Sequence, residues 1–154
     1  MRINDTKQAE EVFETMILKI EQFIKSKPRH RLVLSKNYAD RCQYVDLGQA
    51  LSRVLSEDFP TPSIVMKTDD ALQDILNSNT LIHSLFGKYI AIDNIAILFE
   101  PELRINVKTL IDNWSKSQLV IVKYEGLIED NYLWLTVPND HIGVDLKGLS
   151  YLLF

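Results

Sequence analysis

The stretch YIAIDNIAILF, residues 89–99, decides the fold class of this chain. Its first part is a run of apolar residues that ends in Asp93, and such a run is typical of a parallel-sheet strand that is buried on both faces. Comparable short apolar runs occur at 31–35 and 119–122. Because helical patterns separate these runs along the chain, the sequence predicts an α/β fold of three layers, with a mainly parallel sheet flanked by helices.

Apolar residues at helical spacing predict the remaining elements. A first helix is predicted over 5–27, and Pro101 suits the first turn of a later helix. Residues 68–70 are suitable caps for a helix that reaches Phe86, with a kink or a split expected at 77–79 and Gly87 following as the C′ residue. Further predictions are strands at 43–46 and 133–137, a brief strand or an extended segment at 64–66, a short helix at 47–55, and a continuation of the apolar run at 95–99.

The length of 154 residues, with a mass of 17.8 kDa, predicts a single α/β domain over 1–154. Within it, 1–28 is predicted to contain the leading helix and 138–154 to be an irregular apolar tail. The last residues, 149–154, are so apolar that we expect them to pack on the domain rather than to extend freely into solvent.

Composition and charge exclude several classes of protein. The net charge is −4, whereas a dedicated nucleic-acid binder normally has a basic excess. Cys42 is the single cysteine, so no internal disulfide can form, which is typical of a reducing compartment. No apolar leader and no apolar run of about 20 residues is present, so we expect a soluble, cytoplasmic protein without membrane contact.

Motifs for phosphate, metal or nucleophilic chemistry are weak. There is no G-x-G-x-x-G, and Gly143 and Gly148 have phosphate-loop spacing without the following lysine and hydroxyl residue. The histidines and Cys42 are scattered, so they predict no metal site. Asp93 resembles the carboxylate of a Walker B strand, which holds Mg²⁺, although a capping role is the alternative. Asn94 stands where some ATPases carry a catalytic glutamate.

Aromatic residues are concentrated in the second half of the chain. They lie beside apolar runs, so a core role is favoured and a role as interface anchors comes second. The candidate interface residues are Trp114, Tyr124, Trp134, Tyr151 and Phe154.

Three segments carry a resemblance to a known family: AIDNIAILFEPEL (91–103), LIDNWSKSQLVIVKYEG (110–126) and YLWLTVPNDHI (132–142). They resemble BrxF, the small P-loop protein of type 3 BREX phage-defence systems of bacteria. RHRLVL (29–34) is similar to that family's first strand, and YVDLGQALSRVL (44–55) is similar to its second strand and helix. The resemblance implies a P-loop-NTPase-like fold, with Asp93 at the Walker B position.

The chain departs from that family after the first strand. SKNYADRCQ (35–43) leads directly to YVDLG, without the Walker A loop or the helix that it opens. Lys36 follows the strand, but no glycine accompanies it. A carboxylate such as Asp93 has no triphosphate–Mg²⁺ to hold where no loop cradles the phosphates. The resemblance therefore implies a reduced fold with no bound ATP or Mg²⁺, and an enzyme is not favoured.

These observations predict a non-catalytic subunit of a BREX-like defence system, whose partners are other protein subunits or a second copy of the chain. The missing helix would leave part of one sheet face to be covered by the leading helix, the apolar C-terminus, another copy or a partner. The alternatives are a residual nucleotide-binding ATPase or GTPase that uses Asp93, a generic α/β adaptor, and a DNA-binding accessory factor. DNA contact is otherwise expected only indirectly; its candidate residues are Arg29, Arg31, Lys36, Arg41 and Arg53.

Overall fold

The computed structural model describes residues 16–55, 63–136 and 142–154. Its strands are β1 (Leu32–Ser35), β2 (Tyr44–Asp46), β3 (Leu81–His83), β4 (Gly87–Asp93), β5 (Leu119–Lys123), β6 (Leu127–Glu129), β7 (Tyr132–Trp134), β8 (Gly143–Asp145) and β9 (Tyr151–Leu153). Its helices are α1, described over 16–25, α2 (Leu47–Leu55), α3 (Ile64–Asn79) and α4 (Val107–Ser117). The part of the first predicted helix at 5–15 lies outside the described residues.

The main sheet has six strands, and it confirms the predicted α/β class. Five of them are parallel in the order β2-β4-β5-β1-β9. The sixth, β3, pairs antiparallel with β4, on the same side of β4 as β2. Helices cover both faces, so most residues of the central strands β1, β4 and β5 are buried, as their apolar sequences predict.

Alternate residues of each strand point to opposite faces of the sheet. One set packs with residues of α2, α3 and α4; it includes Leu32, Leu34, Ile90, Ile92, Val120 and Val122. The other set packs with residues of α1; it includes Val33, Tyr89, Ala91, Leu119 and Ile121.

The face with α1 is covered by residues from three parts of the chain. Met16 and Ile20 of α1 cover it, together with Ala39 of the segment between β1 and β2. Phe154, at the end of the chain, packs against the same cluster. Two of the predicted covers, the leading helix and the apolar C-terminus, therefore lie on this face.

The expected strand or extended segment at 64–66 is wrong, because these residues begin α3. Ile64 packs in the core with other α3 residues at helical spacing, and this burial outweighs the local extended pattern. Thr68 is not a cap, since its hydroxyl donates to the carbonyl oxygen of Ile64 at 2.7 Å inside the helix.

The predicted extension of this helix to Phe86 is also wrong, whereas the break that the sequence predicts at 77–79 is where α3 ends. α3 ends at Asn79, and the next residues form β3 and a tight connection to β4. Ile82 is 80% exposed, so its place in the apolar pattern is misleading. Gly87 has φ +74°, as a C′ glycine would, but it begins β4 instead.

The connection from β4 to α4 is made of two short 3-10 helices, Ile95–Phe99 and Pro101–Leu103. The apolar run at 95–99 is therefore not a continued strand, and Pro101 begins a 3-10 turn rather than α4. α4 itself begins at Val107, where the Asn106 side chain accepts a hydrogen bond from the Thr109 N–H at 3.0 Å.

A second sheet, antiparallel and in the order β6-β7-β8, was not predicted. The turn between β6 and β7 uses Asp130 and Asn131, both with positive φ, as a tight hairpin turn requires. The strand expected at 133–137 is represented by β7, Tyr132–Trp134; residue 137 lies outside the described residues. Part of the expected irregular tail forms β8 and β9, and β9 pairs in parallel with β1.

Candidate functional site

The carboxyl ends of β1, β4 and β5 meet at one edge of the main sheet. Ser35 is in register with Lys123, and Ile92 is in register with Val122, so Asp93 lies level with both strand ends. Ligand sites of open parallel sheets form outside this edge. The side chains that gather here come from the three strand ends and from the segment that follows β1.

Tyr38 and Asp93 are in direct contact at this edge. The Tyr38 hydroxyl donates a hydrogen bond to Oδ2 of Asp93. The Tyr38 ring is half-exposed and packs edge-on against the Tyr44 ring, with centroids 4.8 Å apart. The hydrogen bond to Asp93 raises the pKa of the Tyr38 phenol, because it favours the protonated form beside a carboxylate.

Two lysines lie over aromatic rings next to this contact. Lys123 Nζ is 4.8 Å from the Tyr38 ring centroid and 2.7 Å from a carboxylate oxygen of Glu125. That ion pair, a charge-assisted hydrogen bond, raises the pKa of the Lys123 ammonium group. Lys36 Nζ lies 5.9 Å from the ring centroid of Tyr124. The edge therefore holds Tyr38, Asp93, Lys123 and Glu125 in one connected group.

Asn94, at the position where some ATPases carry a catalytic glutamate, has a structural role. Its φ of +54° turns the chain sharply after β4. Its amide Nδ2 donates to Oδ1 of Asp46 at 2.8 Å, and its carbonyl oxygen accepts from the Gly48 N–H at 3.1 Å. A Cβ on Gly48 would lie 2.4 Å from that Nδ2, so a side chain there would have to displace the Asn94 amide from its bond to Asp46.

Two hydrogen bonds at the same junction favour the ionised form of the Asp46 carboxyl group. The Gln49 N–H donates to Oδ1 at 2.9 Å, and Asn94 donates to the same oxygen. Both bonds lower the pKa of the Asp46 carboxyl group, the Gln49 bond most. Asp46 thus caps α2 and binds the end of β4, and both functions are structural.

The residues present do not fit a triphosphate–Mg²⁺ group held by a phosphate loop. Residues 36–43 contain no glycine and form turns without a helix. Such a loop needs successive backbone N–H groups around the phosphates and a helix that begins there. Both oxygens of Asp93 already accept hydrogen bonds, one from Tyr38 and one from the Asn94 N–H at 2.7 Å.

The predicted interface residues do not share one surface environment. Trp114 and Tyr124 are each 5% exposed and belong to the core, which leaves little of either ring for a partner to contact. The Trp134 ring packs on Tyr132, with centroids 4.2 Å apart. The remaining two are partly buried on or next to β9: the Tyr151 hydroxyl donates to Asn131 at 2.7 Å, and Lys19 lies over the Phe154 ring.

The histidines and the cysteine form no metal site in the described parts of the chain. His30 is buried between two hydrogen-bond partners, and His83 stacks on Phe86 with centroids 3.9 Å apart. His141 lies outside the described residues. Burial raises the pKa of the Cys42 thiol to about 11, so the thiol stays protonated at neutral pH and is a poor nucleophile.

The basic residues suggested for DNA contact are dispersed. Arg29 and Arg31 precede β1, whereas Lys36 follows it, so they lie toward opposite edges of the sheet. Arg41 belongs to the segment between β1 and β2, and Arg53 to α2. These positions do not form the single basic stripe that phosphate tracking along DNA favours.

Sequence reasoning predicted Asp93 at this edge and missed Tyr38, Lys123 and Glu125. The missed residues had a usable signal, since each follows the end of a predicted parallel strand. Comparisons with protein-family models, curated proteins and solved structures found no match. None of the helices in the described residues is long and apolar enough to cross a membrane.

Proposed function

We propose that this chain is a non-catalytic subunit of a BREX-like bacteriophage-defence system, and that it acts through contacts with other proteins. The observation that carries the non-catalytic part is the bond between Tyr38 and Asp93. The family resemblance of the sequence supports the defence part.

A Walker B carboxylate acts by directing an oxygen toward Mg²⁺ and its water ligands. The Asp93 oxygens are instead bonded to a phenol and a backbone N–H of the same chain. Tyr38 belongs to the short segment that replaces the phosphate loop and its helix. We infer that this segment substitutes for the nucleotide: it covers the sheet edge with protein atoms and so preserves the fold without a bound ligand.

A phage-protection assay with single substitutions tests the non-catalytic part. Asp93→Asn keeps one acceptor oxygen and an amide that can donate to the Tyr38 oxygen, so the edge stays hydrogen-bonded. The proposal predicts that Asp93→Asn protects as well as the unaltered protein at equal abundance. Loss of protection by a folded, abundant Asp93→Asn protein, with Tyr38→Phe retaining it, would show that the carboxylate has a chemical role.

Affinity purification of the tagged chain from the organism that encodes it tests the subunit part. The expected result is co-elution of a large ATPase, a methyltransferase or an alkaline-phosphatase-like protein of the same system. The Asp93→Asn protein should retain these partners in the same amounts. Recovery of the tagged chain alone, under conditions that preserve known complexes of the host, would contradict the proposal.

A further inference from the structure

A cleft with a basic lining lies away from the edge that holds Asp93. Its volume is about 290 Å³, and it is formed where three separate segments meet. Arg29 comes from the segment before β1, Lys108 from the first turns of α4, and Lys147 from the turn before β9. The sequence separates these residues widely, so their meeting is a product of the fold.

A buried histidine holds the three segments together. His30 is 2% exposed; its Nε2 donates to Oδ1 of Asp112 on α4, and its Nδ1 accepts from the Ser150 N–H at 3.2 Å. Each ring nitrogen is therefore used, and His30 joins the segment before β1 to α4 and to the segment before β9. The backbone that carries the exposed Arg29 and Lys147 side chains is thus held in place before any ligand binds, which reduces the entropic cost of binding.

The charges around the cleft leave it with a cationic excess. Both oxygens of the Asp112 carboxylate are engaged, by His30 and by Lys116 Nζ at 3.0 Å, and Lys108 lies 3.7 Å from Asp145. Among the described residues, neither Arg29 nor Lys147 has a carboxylate oxygen within 4.0 Å of its cationic nitrogens.

We propose that this cleft binds the phosphate group of a small phosphorylated ligand, with Arg29 and Lys147 as its direct contacts and Lys108 as a third cation. Arg suits a phosphate because its guanidinium donates two parallel hydrogen bonds, and Lys adds a point charge. The volume is near the lower end of the range for small-molecule sites. The net charge of −4 opposes a long polyanion such as DNA, so the small ligand is favoured.

Calorimetric titration with inorganic pyrophosphate tests the proposal directly, with Lys147→Gln and Arg29→Gln as the variants. Lys88→Gln is the matched control, because Lys88 is also an exposed lysine and lies at the start of β4, outside the cleft. We expect each cleft variant to weaken pyrophosphate binding by about tenfold or more, as loss of one charge-assisted hydrogen bond implies. Lys88→Gln should bind as the unaltered protein does.

Three outcomes would overturn the proposal. The first is no heat of binding at millimolar pyrophosphate, and the second is equal weakening by Lys88→Gln, which would indicate a diffuse charge effect. The third is a single-stranded oligonucleotide that binds more tightly than pyrophosphate and is released by the cleft variants, since this would assign the cleft to a nucleic-acid backbone. The Asp93→Asn protein should bind pyrophosphate normally, so failure here is distinct from failure of the proposed function.

Discussion

The Tyr38 hydroxyl donates a hydrogen bond to Oδ2 of Asp93, 55 residues further along the chain, across the carboxyl edge of the main sheet. The bond joins the segment that follows β1 to the end of β4, with β5 between them. Ligand sites of open parallel sheets form outside this edge. Here a side chain of the protein itself lies over the edge and is bonded to the carboxylate that ends β4.

The Tyr38 pKa should fall when Asp93 is replaced by asparagine, because the substitution removes the carboxylate whose hydrogen bond favours the neutral phenol. Titration of the tyrosine ring signals by NMR measures this. Tyr124 is the internal control, since burial alone raises its pKa. An unchanged Tyr38 titration in Asp93→Asn would show that the two side chains are not bonded in solution.

The protein should lose stability as the pH rises above 9. Burial raises the pKa of Cys42 from 9.0 to about 11 and that of Tyr44 from 10.0 to about 12. Each group therefore stabilises the fold below its unfolded pKa, and this contribution is lost as the pH rises through the folded pKa, because the unfolded chain loses the proton first.

Urea unfolding at a series of pH values checks this expectation. Tyr44→Phe should reduce the decline of the unfolding free energy between pH 10 and about 12, and Cys42→Ala should reduce it between pH 9 and about 11. If the unfolding free energy of both variants and of the unaltered protein declined in parallel with pH, groups other than Cys42 and Tyr44 would cause the loss of stability.

Substitution of Ile20 by alanine should lower the unfolding free energy by about 2–5 kcal/mol, because it leaves a cavity under α1. Ile20 is fully buried against the sheet, whereas Leu18 of the same helix is 55% exposed. Leu18→Ala is thus the matched control, with an expected change within about 0.5 kcal/mol. Similar losses for both variants in chemical unfolding would mean that α1 does not cover this face.

The small antiparallel sheet should be intolerant of a side chain at Gly126. A Cβ there would lie 1.8 Å from the Trp134 carbonyl oxygen, and a backbone atom cannot move aside cheaply. Gly148 is the contrast: its φ is +82° but nothing lies within 4 Å of a Cβ there, so Gly148→Ala should cost only the backbone strain of about 1–2 kcal/mol.

Thermal unfolding of the two alanine variants compares them. The Gly126→Ala protein should lose several times more stability than Gly148→Ala, because the substitution must displace backbone of the adjacent strand. Equal losses would contradict the close approach of the chain at Gly126.

The sequence predicts the main sheet well because its central strands are short, continuous apolar runs, which are stable only when they are buried. The prediction fails where a local pattern is compatible with two structures. The residues around Ile64 could form either a strand or the first turn of α3, and only their burial decides between the two. Ile82 belongs to an apolar pattern but is exposed. Three-residue strands such as β6 and β8 are too short to show a period at all.

The candidate site likewise contains one residue that the sequence predicts and contacts that it does not. Asp93 is predictable because it closes the clearest strand, and a carboxylate at that place has a known chemical meaning. Tyr38 follows the end of a predicted strand, which places it near this edge, but its bond to Asp93 is not predictable, because Asp93 lies on another strand and the contact depends on the path of the loop. Arg29, Lys108 and Lys147 meet for a similar reason, since the order of strands brings their three segments together.

Calorimetric titration with Mg²⁺-ATP tests the central claim most directly. The account predicts no binding at millimolar nucleotide by the unaltered protein, and none by Tyr38→Phe, because that variant opens the edge without supplying a phosphate loop. A ligand well above its Kd must also stabilise the fold, so thermal unfolding gives an independent reading. Mg²⁺-dependent ATP binding that is lost in Asp93→Ala would contradict the account and assign Asp93 a nucleotide-binding role.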